Sequence, residues 1–430
     1  MSHSRLMYVL LFVAVLALID WYVFQAVRQW SQAVPSTFRK SMVMAAATLT
    51  VGSLISILLL FLTSASQTTL LRNFLFVIIL TNVLSKLLMA IFLFMADLVR
   101  LGKWGISQFS GTKPQTTPAI ASEVMEQAPT ISRSDFLVKA ALVAGAIPVV
   151  GVTYGILSGA HDYRVRRVKL ALKNLPKSFH GLRIAQLSDI HSGSFFNKTA
   201  VKGGVEMLLR EKPDVIFFTG DLVNNEASEV KDYIDIFNKI KAPLGVYSIL
   251  GNHDYGDYKN WGSTQAKHQN LEDLKKAHQR LGWDLLLDEH RTLKQGNDEI
   301  AIIGNQNWGT KFAKYGSLDK AYQGTQDFPV KLLLSHDPTH WDAQVRPNFP
   351  DIDVMFAGHT HGAQFGVEVG DFRWSPVKYV YKQWADLHQE KTPQGKVQYL
   401  YVNRGFGYIG FPGRVGILPE ITIFELESAS

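Results

Sequence analysis

Arg183-Ile184-Ala185-Gln186-Leu187-Ser188-Asp189-Ile190-His191 is the stretch on which the reading of this chain turns. A short, mostly apolar run bounded by polar residues suits a buried strand. This one ends in Asp-x-His, two side chains able to hold a metal ion. The pattern recurs four times. Residues 214–219 run into Gly220-Asp221, and 244–250 into Gly251-Asn252-His253-Asp254. Residues 330–334 run into Ser335-His336-Asp337, and 354–357 into Gly358-His359-Thr360-His361. Between them, 200–212 and 271–281 are patterned as amphipathic helices, the second stopped at Gly282. Strands interleaved with helices predict an α/β sandwich. Open sheets of this kind carry their sites beyond the strand C-termini, where all five motifs fall.

A lone Asp-x-His or a lone histidine arises by chance, and Gly-Asn-His-Asp is also turn chemistry. Five motifs in series, each following an apolar strand, form a ligand set. Two metal ions about 3.5–4 Å apart clamp a phosphate and generate a nucleophile near neutral pH. A carboxylate must bridge them, and Asp221, behind a glycine that permits close approach, is assigned that part. Asp189 and His191 are two residues apart; in extended backbone they point the same way and reach one ion. His359 and His361 share that spacing. Asn252 offers an amide oxygen and His336 an imidazole. Such mixed oxygen and nitrogen sets suit Mn, Fe or Zn, so two divalent ions of that kind are the expected cofactors. His253 adjoins a ligand but points away from it. Its expected catalytic part is to protonate the leaving alkoxide or to stabilise the charged phosphate, with Asp254 fixing its tautomer.

The first third of the chain differs. Residues 6–27, 42–62, 74–99 and 136–157 are each long and apolar enough to cross a bilayer, which takes about 20 residues in a helix. The expected organisation is a three-helix transmembrane region over 1–101, a flexible linker over 102–135, a fourth span or signal-like anchor over 136–159, and a catalytic domain over 160–430. Ser132-Arg133-Ser134-Asp135-Phe136-Leu137 is similar to a twin-arginine export signal lacking its second arginine. Gly151, Gly155 and Gly159 repeat at the spacing of close helix packing in membranes. Lys86 lies in mid-span with no obvious partner, whereas Asp20 and Asp97 lie near span ends. Arg28, Arg39 and Lys40, then Arg100, Lys103, Lys113 and Arg133, place the first and third connections in the cytoplasm. Both termini and the catalytic half then lie outside. Arg164, Arg166, Arg167 and Lys169 oppose this unless they belong to the folded domain.

The formal charge is +7, but no dense basic tract favours nucleic acid, and the apolar segments favour a lipid surface. There is no cysteine, which excludes disulfides, thiolate metal sites and a cysteine nucleophile.

With these motifs in order, the chain resembles the calcineurin-like metallophosphoesterases, and in particular their bacterial membrane-associated YkuE-type subfamily. The narrower likeness rests on Leu187 to Gly193, Gly358 to Gln364 and the tail from Asn403-Arg404-Gly405 to Pro419-Glu420. The resemblance implies a four-layer α/β/β/α metallophosphoesterase sandwich, preceded here by an all-α transmembrane region. It implies one metal held by Asp189, His191, Asp221 and His361, and a second by Asp221, Asn252, His336 and His359, with His253 the catalytic histidine. Relatives often carry an acidic residue in the loop where this chain has the neutral Gly304-Asn305-Gln306-Asn307-Trp308, so substrate choice does not transfer. Tyr255, Trp308 and Arg404 are candidate substrate contacts.

The expected function is a phosphoesterase of the bacterial inner membrane. It cleaves a phosphodiester, phosphomonoester or pyrophosphate by metal-activated hydroxide, on a substrate that the membrane tether suggests is lipid-linked. The competing expectation is a transporter or receptor that uses the domain as a binding module.

Overall fold

A computed structural model describes residues 3–31, 35–62, 69–109, 133–370, 372–392 and 395–429. The chain divides into two compact units, Met1–Thr153 and Tyr154–Ser430.

The first unit is helical: α1 (His3–Ser31), α2 (Ser36–Leu62), α3 (Thr69–Phe109) and most of α4 (Arg133–Leu157). All four are long and apolar enough to cross a membrane. Val23 and Val27 of α1, Leu93 of α3 and Ala141 of α4 form their common core. Lys86 is not partnerless: it pairs with Asp20 and donates to the Thr50 hydroxyl. Residues 102–109 of the expected linker continue α3, and 110–132 lie outside the described residues. Gly145 supplies a close contact, since a Cβ there would meet Met89 at 2.4 Å. Gly155 and Gly159 belong to the second unit, where they face the backbone of Arg414 rather than another apolar helix.

The second unit holds two six-stranded sheets. The first orders as β1 (Arg164–Leu172), β14 (Glu420–Ser428), β2 (Arg183–Leu187), β3 (Val215–Phe218), β4 (Val246–Ser248) and β5 (Asp284–Leu285). The second orders as β12 (Asp386–Lys391), β13 (Val397–Val402), β9 (Val354–Ala357), β8 (Lys331–Leu334), β7 (Asp298–Gly304) and β6 (Glu289–Gln295). The site-bearing strands β2, β3 and β4 are parallel, as are β8 and β9. A separate antiparallel ribbon joins β10 (Val367–Val369) to β11 (Phe372–Trp374).

Alternation of side chains along each strand makes the layers. Val215 and Phe217 face inward with Ile184, Ile300, Ile302, Leu332, Leu334, Val354 and Phe356, forming the core between the sheets. Ile216, Phe218, Ala185 and Leu187 face outward against α5 (Lys198–Arg210), the short α6 (Ile234–Phe237) and α7 (Thr264–Leu281). Ile303, Leu333, Met355 and Leu400 face the opposite way against α8 (Leu318–Tyr322) and Trp341. The result is the four-layer α/β/β/α sandwich. Local signals set its helix ends. Asn197 caps α5 through Ala200 N at 3.1 Å, Ser263 caps α7 through Ala266 N at 3.1 Å, and Gly282 ends α7 at φ +77°.

Candidate metal centre

Both sheets deliver their motifs to one edge. β2 leads to Asp189 and His191, β3 to Asp221, β4 to Asn252 and His253, β8 to His336, and β9 to His359 and His361. Beneath them Gln186 Nε2 donates to Thr219 Oγ1 at 3.0 Å and to the Ala357 carbonyl at 2.9 Å, tying the two sheets together. The approach is so tight that a Cβ on Gly251 would lie 2.3 Å from Asp221 Oδ1, and one on Gly358 2.2 Å from Asp189 Oδ2.

The backbone is not the extended chain expected from the two-residue spacings. Asp189 (φ 52°), His191 (φ 49°), Asp221 (φ 61°), His359 (φ 71°) and His361 (φ 50°) are all left-handed. Each costs on the order of 1 kcal/mol, a strain that concentrates at functional sites. Paired residues converge because both ends of each motif turn this way, with Ile190 and Thr360 between them.

Asp189, His191 and His361 present ligand atoms within 4.8 Å of one another, and so do Asp221, His336 and His359. His191 Nε2 and His361 Nε2 stand 3.0 Å apart, with Asp189 Oδ1 3.2 Å from the latter. Asp221 lies between the groups. Its Oδ1 accepts from His253 N at 2.8 Å, leaving Oδ2 at 3.5 Å from His191 Nε2 and 3.1 Å from His336 Nε2. Asn252 joins the second group, its Oδ1 2.8 Å from His359 Nδ1.

The surroundings aim these atoms. His336 Nδ1 donates to the Thr219 carbonyl at 2.7 Å, which turns Nε2 toward Asp221 Oδ2. Tyr258 accepts from Asn252 Nδ2 at 2.8 Å, turning the amide oxygen toward His359. The Tyr381 hydroxyl is 2.9 Å from His359 Nε2, and Phe312 meets that ring edge-on at 4.7 Å. Arg414, fully buried, donates to the carbonyls of Arg404 and Gly407 behind His361. No short motif marks these residues; only the fold brings them to the site.

Burial opposes charge on every one of these groups. At Asp221 the neighbouring His336 and His253 outweigh it and hold the carboxyl well below the ordinary carboxylate range. At His336 burial lowers the value, but Asp221 outweighs it and raises the imidazole to about 10. Burial dominates at His191, held well below its ordinary value, and at His359, lowered to about 4. His191 Nδ1 is buried without a hydrogen-bond partner, and His336 Nε2 faces Asp221 Oδ2. Carboxylate oxygens and imidazole nitrogens converging on two points fit two divalent cations.

Asp254 is not where its expected part requires. Its carboxylate accepts from the N–H groups of Asp221, Leu222, Val223 and Gly251 at 2.8–3.2 Å, pinning the bridging loop to the β4 loop. Burial and Asp221 push it up to about 7, against the pull of those N–H donors. The His253 tautomer is set instead by the Asn224 carbonyl, 2.9 Å from Nδ1. Arg404 is also no substrate contact: it is fully buried, paired with Glu420 at 2.7 Å and Glu368 at 2.8 Å. Tyr255 is buried, stacked on Tyr315 at 3.6 Å. Trp308 is half-buried, stacked on His340 at 4.5 Å with Lys314 over its ring.

Comparison with known proteins matches both parts of the chain. Residues 4–160 match the family described as probable calcineurin-like phosphoesterase, transmembrane domain, and residues 182–363 match calcineurin-like phosphoesterase. A transmembrane protein with metallophosphoesterase domain from Danio rerio is 29% identical over 67% of this chain and 63% of its own length. The chain thus spans less than two thirds of that relative. YkuE of Bacillus subtilis, an uncharacterized metallophosphoesterase, is 28% identical over 70% of this chain and 99% of its own. The UDP-2,3-diacylglucosamine pyrophosphatase LpxG of Chlamydia trachomatis is 29% identical over 54% and 81%.

Proposed function

Because the chain belongs to the calcineurin-like phosphoesterases and carries their transmembrane region, we propose that it is a membrane-anchored two-metal hydrolase of phosphodiester, phosphomonoester or pyrophosphate bonds. The observation that carries this reading is Asp221 Oδ2 standing between two ligand groups. Asp189, His191, Asp221 and His361 would hold one ion, and Asp221, Asn252, His336 and His359 the other. Bound there, Mn, Fe or Zn supplies Lewis acidity to the phosphate oxygens and an activated water at neutral pH. His253 keeps its Nδ1 proton on Asn224, so Nε2 is the atom that carries a proton to the leaving oxygen. Asp254 holds the loops that place Asp221 and His253. Tyr258 orients the Asn252 amide.

A lipid-linked phosphoester is the substrate class this reading favours. The anchor holds the site near a bilayer, and one relative is named for a diacylated sugar nucleotide. The Lys and Arg distribution favours the periplasmic or extracellular side for the catalytic unit; an alkaline phosphatase fusion after Ser430 that is active in intact cells supports this, and an inactive one overturns it. The activity itself is tested with the full chain in detergent and bis-nitrophenyl phosphate. Hydrolysis is expected with Mn and lost on chelation. No hydrolysis with Mn, Fe or Zn overturns the reading.

A further inference from the structure

The β10–β11 ribbon turns the usual rule of a half-buried sheet inside out. Antiparallel ribbons ordinarily face the core with their apolar side. Here Val367 pairs with Trp374 and Val369 with Phe372, so these four share one face. Val369 is 70% exposed and Phe372 64%. The other face carries Glu368 and Arg373, and it is the one bound to the domain. Glu368 pairs with Arg404 at 2.8 Å and Arg166 at 2.7 Å, and Arg373 pairs with Asp386. The ion pairs fix the ribbon with its apolar face outward. Beyond it Tyr379 is 75% exposed, with the exposed cations Lys378 and Lys382 beside it.

The position of this face says what covers it. Its root, Phe365, bridges to Val415. Arg414 N donates to the carbonyl of Gly155, in the last turn of α4, at 3.0 Å, and a Cβ on Gly155 would strike Val415 at 2.7 Å. The apolar ribbon therefore grows from the point where the last membrane helix ends. Two residues after Tyr379, Tyr381 reaches the His359 ligand. Aromatic and aliphatic side chains with flanking lysines are the composition of a surface seated at the headgroup–acyl boundary.

We propose that the apolar face of the ribbon and the turn through Tyr379 dock into the bilayer that the chain spans. The phosphoester taken by the metal centre is then one whose acyl chains stay in that bilayer. The second statement rests on the function proposed above; the first does not. The chain has no cysteine, so Phe372→Cys gives a single attachment point for a bimane fluorophore. The labelled full chain is reconstituted in phosphatidylglycerol–phosphatidylcholine vesicles. Brominated lipid should quench the label by about twofold or more while aqueous iodide has little effect. Quenching by iodide alone overturns docking, and shielding from both, the mark of a second copy of the chain, overturns it too. Val369→Asp with Phe372→Asp should raise KM for an acylated pyrophosphate in vesicles about tenfold or more and leave bis-nitrophenyl phosphate hydrolysis unchanged. Equal KM for the acylated substrate overturns the substrate class. Lipid quenching without any hydrolysis leaves docking intact and sinks the catalytic reading instead.

Discussion

The two units each bury charge, and they neutralise it in opposite ways. In the helical unit Asp20 and Lys86 meet across helices with the Thr50 hydroxyl, one anion for one cation. In the phosphoesterase unit Asp189 and Asp221 face four imidazoles, and His191 Nδ1 is left without a hydrogen-bond partner. A buried charge needs either a partner or a metal. The first cluster is complete from the chain's own atoms and reads as an internal brace. The second crowds two carboxylates and four imidazoles together, more than pairwise neutralisation needs, and reads as a site built for cations.

Removing the shared carboxylate tests the second half of that contrast most severely. Asp221→Asn keeps the shape but weakens both ion sites, and hydrolysis of bis-nitrophenyl phosphate should fall by about a thousandfold or more. His253→Ala should cost about a hundredfold to ten-thousandfold, the range of general acid catalysis. Metal analysis separates the two: the first variant should bind fewer than two Mn per chain, the second an unchanged number. Wild-type stoichiometry in Asp221→Asn removes it from the bridging position.

The brace predicts a smaller and different loss. Lys86→Met leaves a half-buried carboxylate alone, which costs less than the roughly 3–5 kcal/mol of a fully buried pair. Melting of the detergent-solubilised chain should drop accordingly, and the double variant Asp20→Asn with Lys86→Met should recover most of it. Mn-dependent hydrolysis should stay near wild type in the double variant. If instead stability is intact and activity is lost, the pair is a working part and the contrast between the units collapses.

What could be read from the sequence follows the range of the interactions. The spans were visible because a bilayer-long apolar helix is a local property. The candidate metal ligands are legible because each lies just past an apolar strand. The reason for their convergence differs from the extended backbone that the two-residue spacing suggests: Asp189, His191, His359 and His361 meet through left-handed turns. Non-local partners were out of reach. β14 inserts antiparallel beside β2 from more than 230 residues away, and Tyr258 and Tyr381 carry no motif. Arg404 looked like a substrate contact because its ion-pair partners Glu368, Asp386 and Glu420 come from three separate strands.

His278 is a third case, a buried imidazole with neither acid nor metal beside it, and it sharpens the comparison from outside both clusters. Its Nδ1 is 3.0 Å from Ser248 Oγ, its Nε2 has no partner, and burial lowers it to about 3. The unfolded chain, with an ordinary value near 6.5, takes up the proton first as pH falls. Stability from this site is therefore complete above about pH 6.5 and is lost progressively toward pH 3, by about 2 kcal/mol at pH 5. His336, raised by Asp221, has the opposite sign and keeps its proton through this range when no metal displaces it. Melting at pH 7.5 and pH 5, followed with Mn absent, should show a larger acid loss in wild type than in His278→Gln. An equal loss in both would mean that acid sensitivity arises elsewhere, and that an unpartnered buried imidazole is tolerated in this core at no cost.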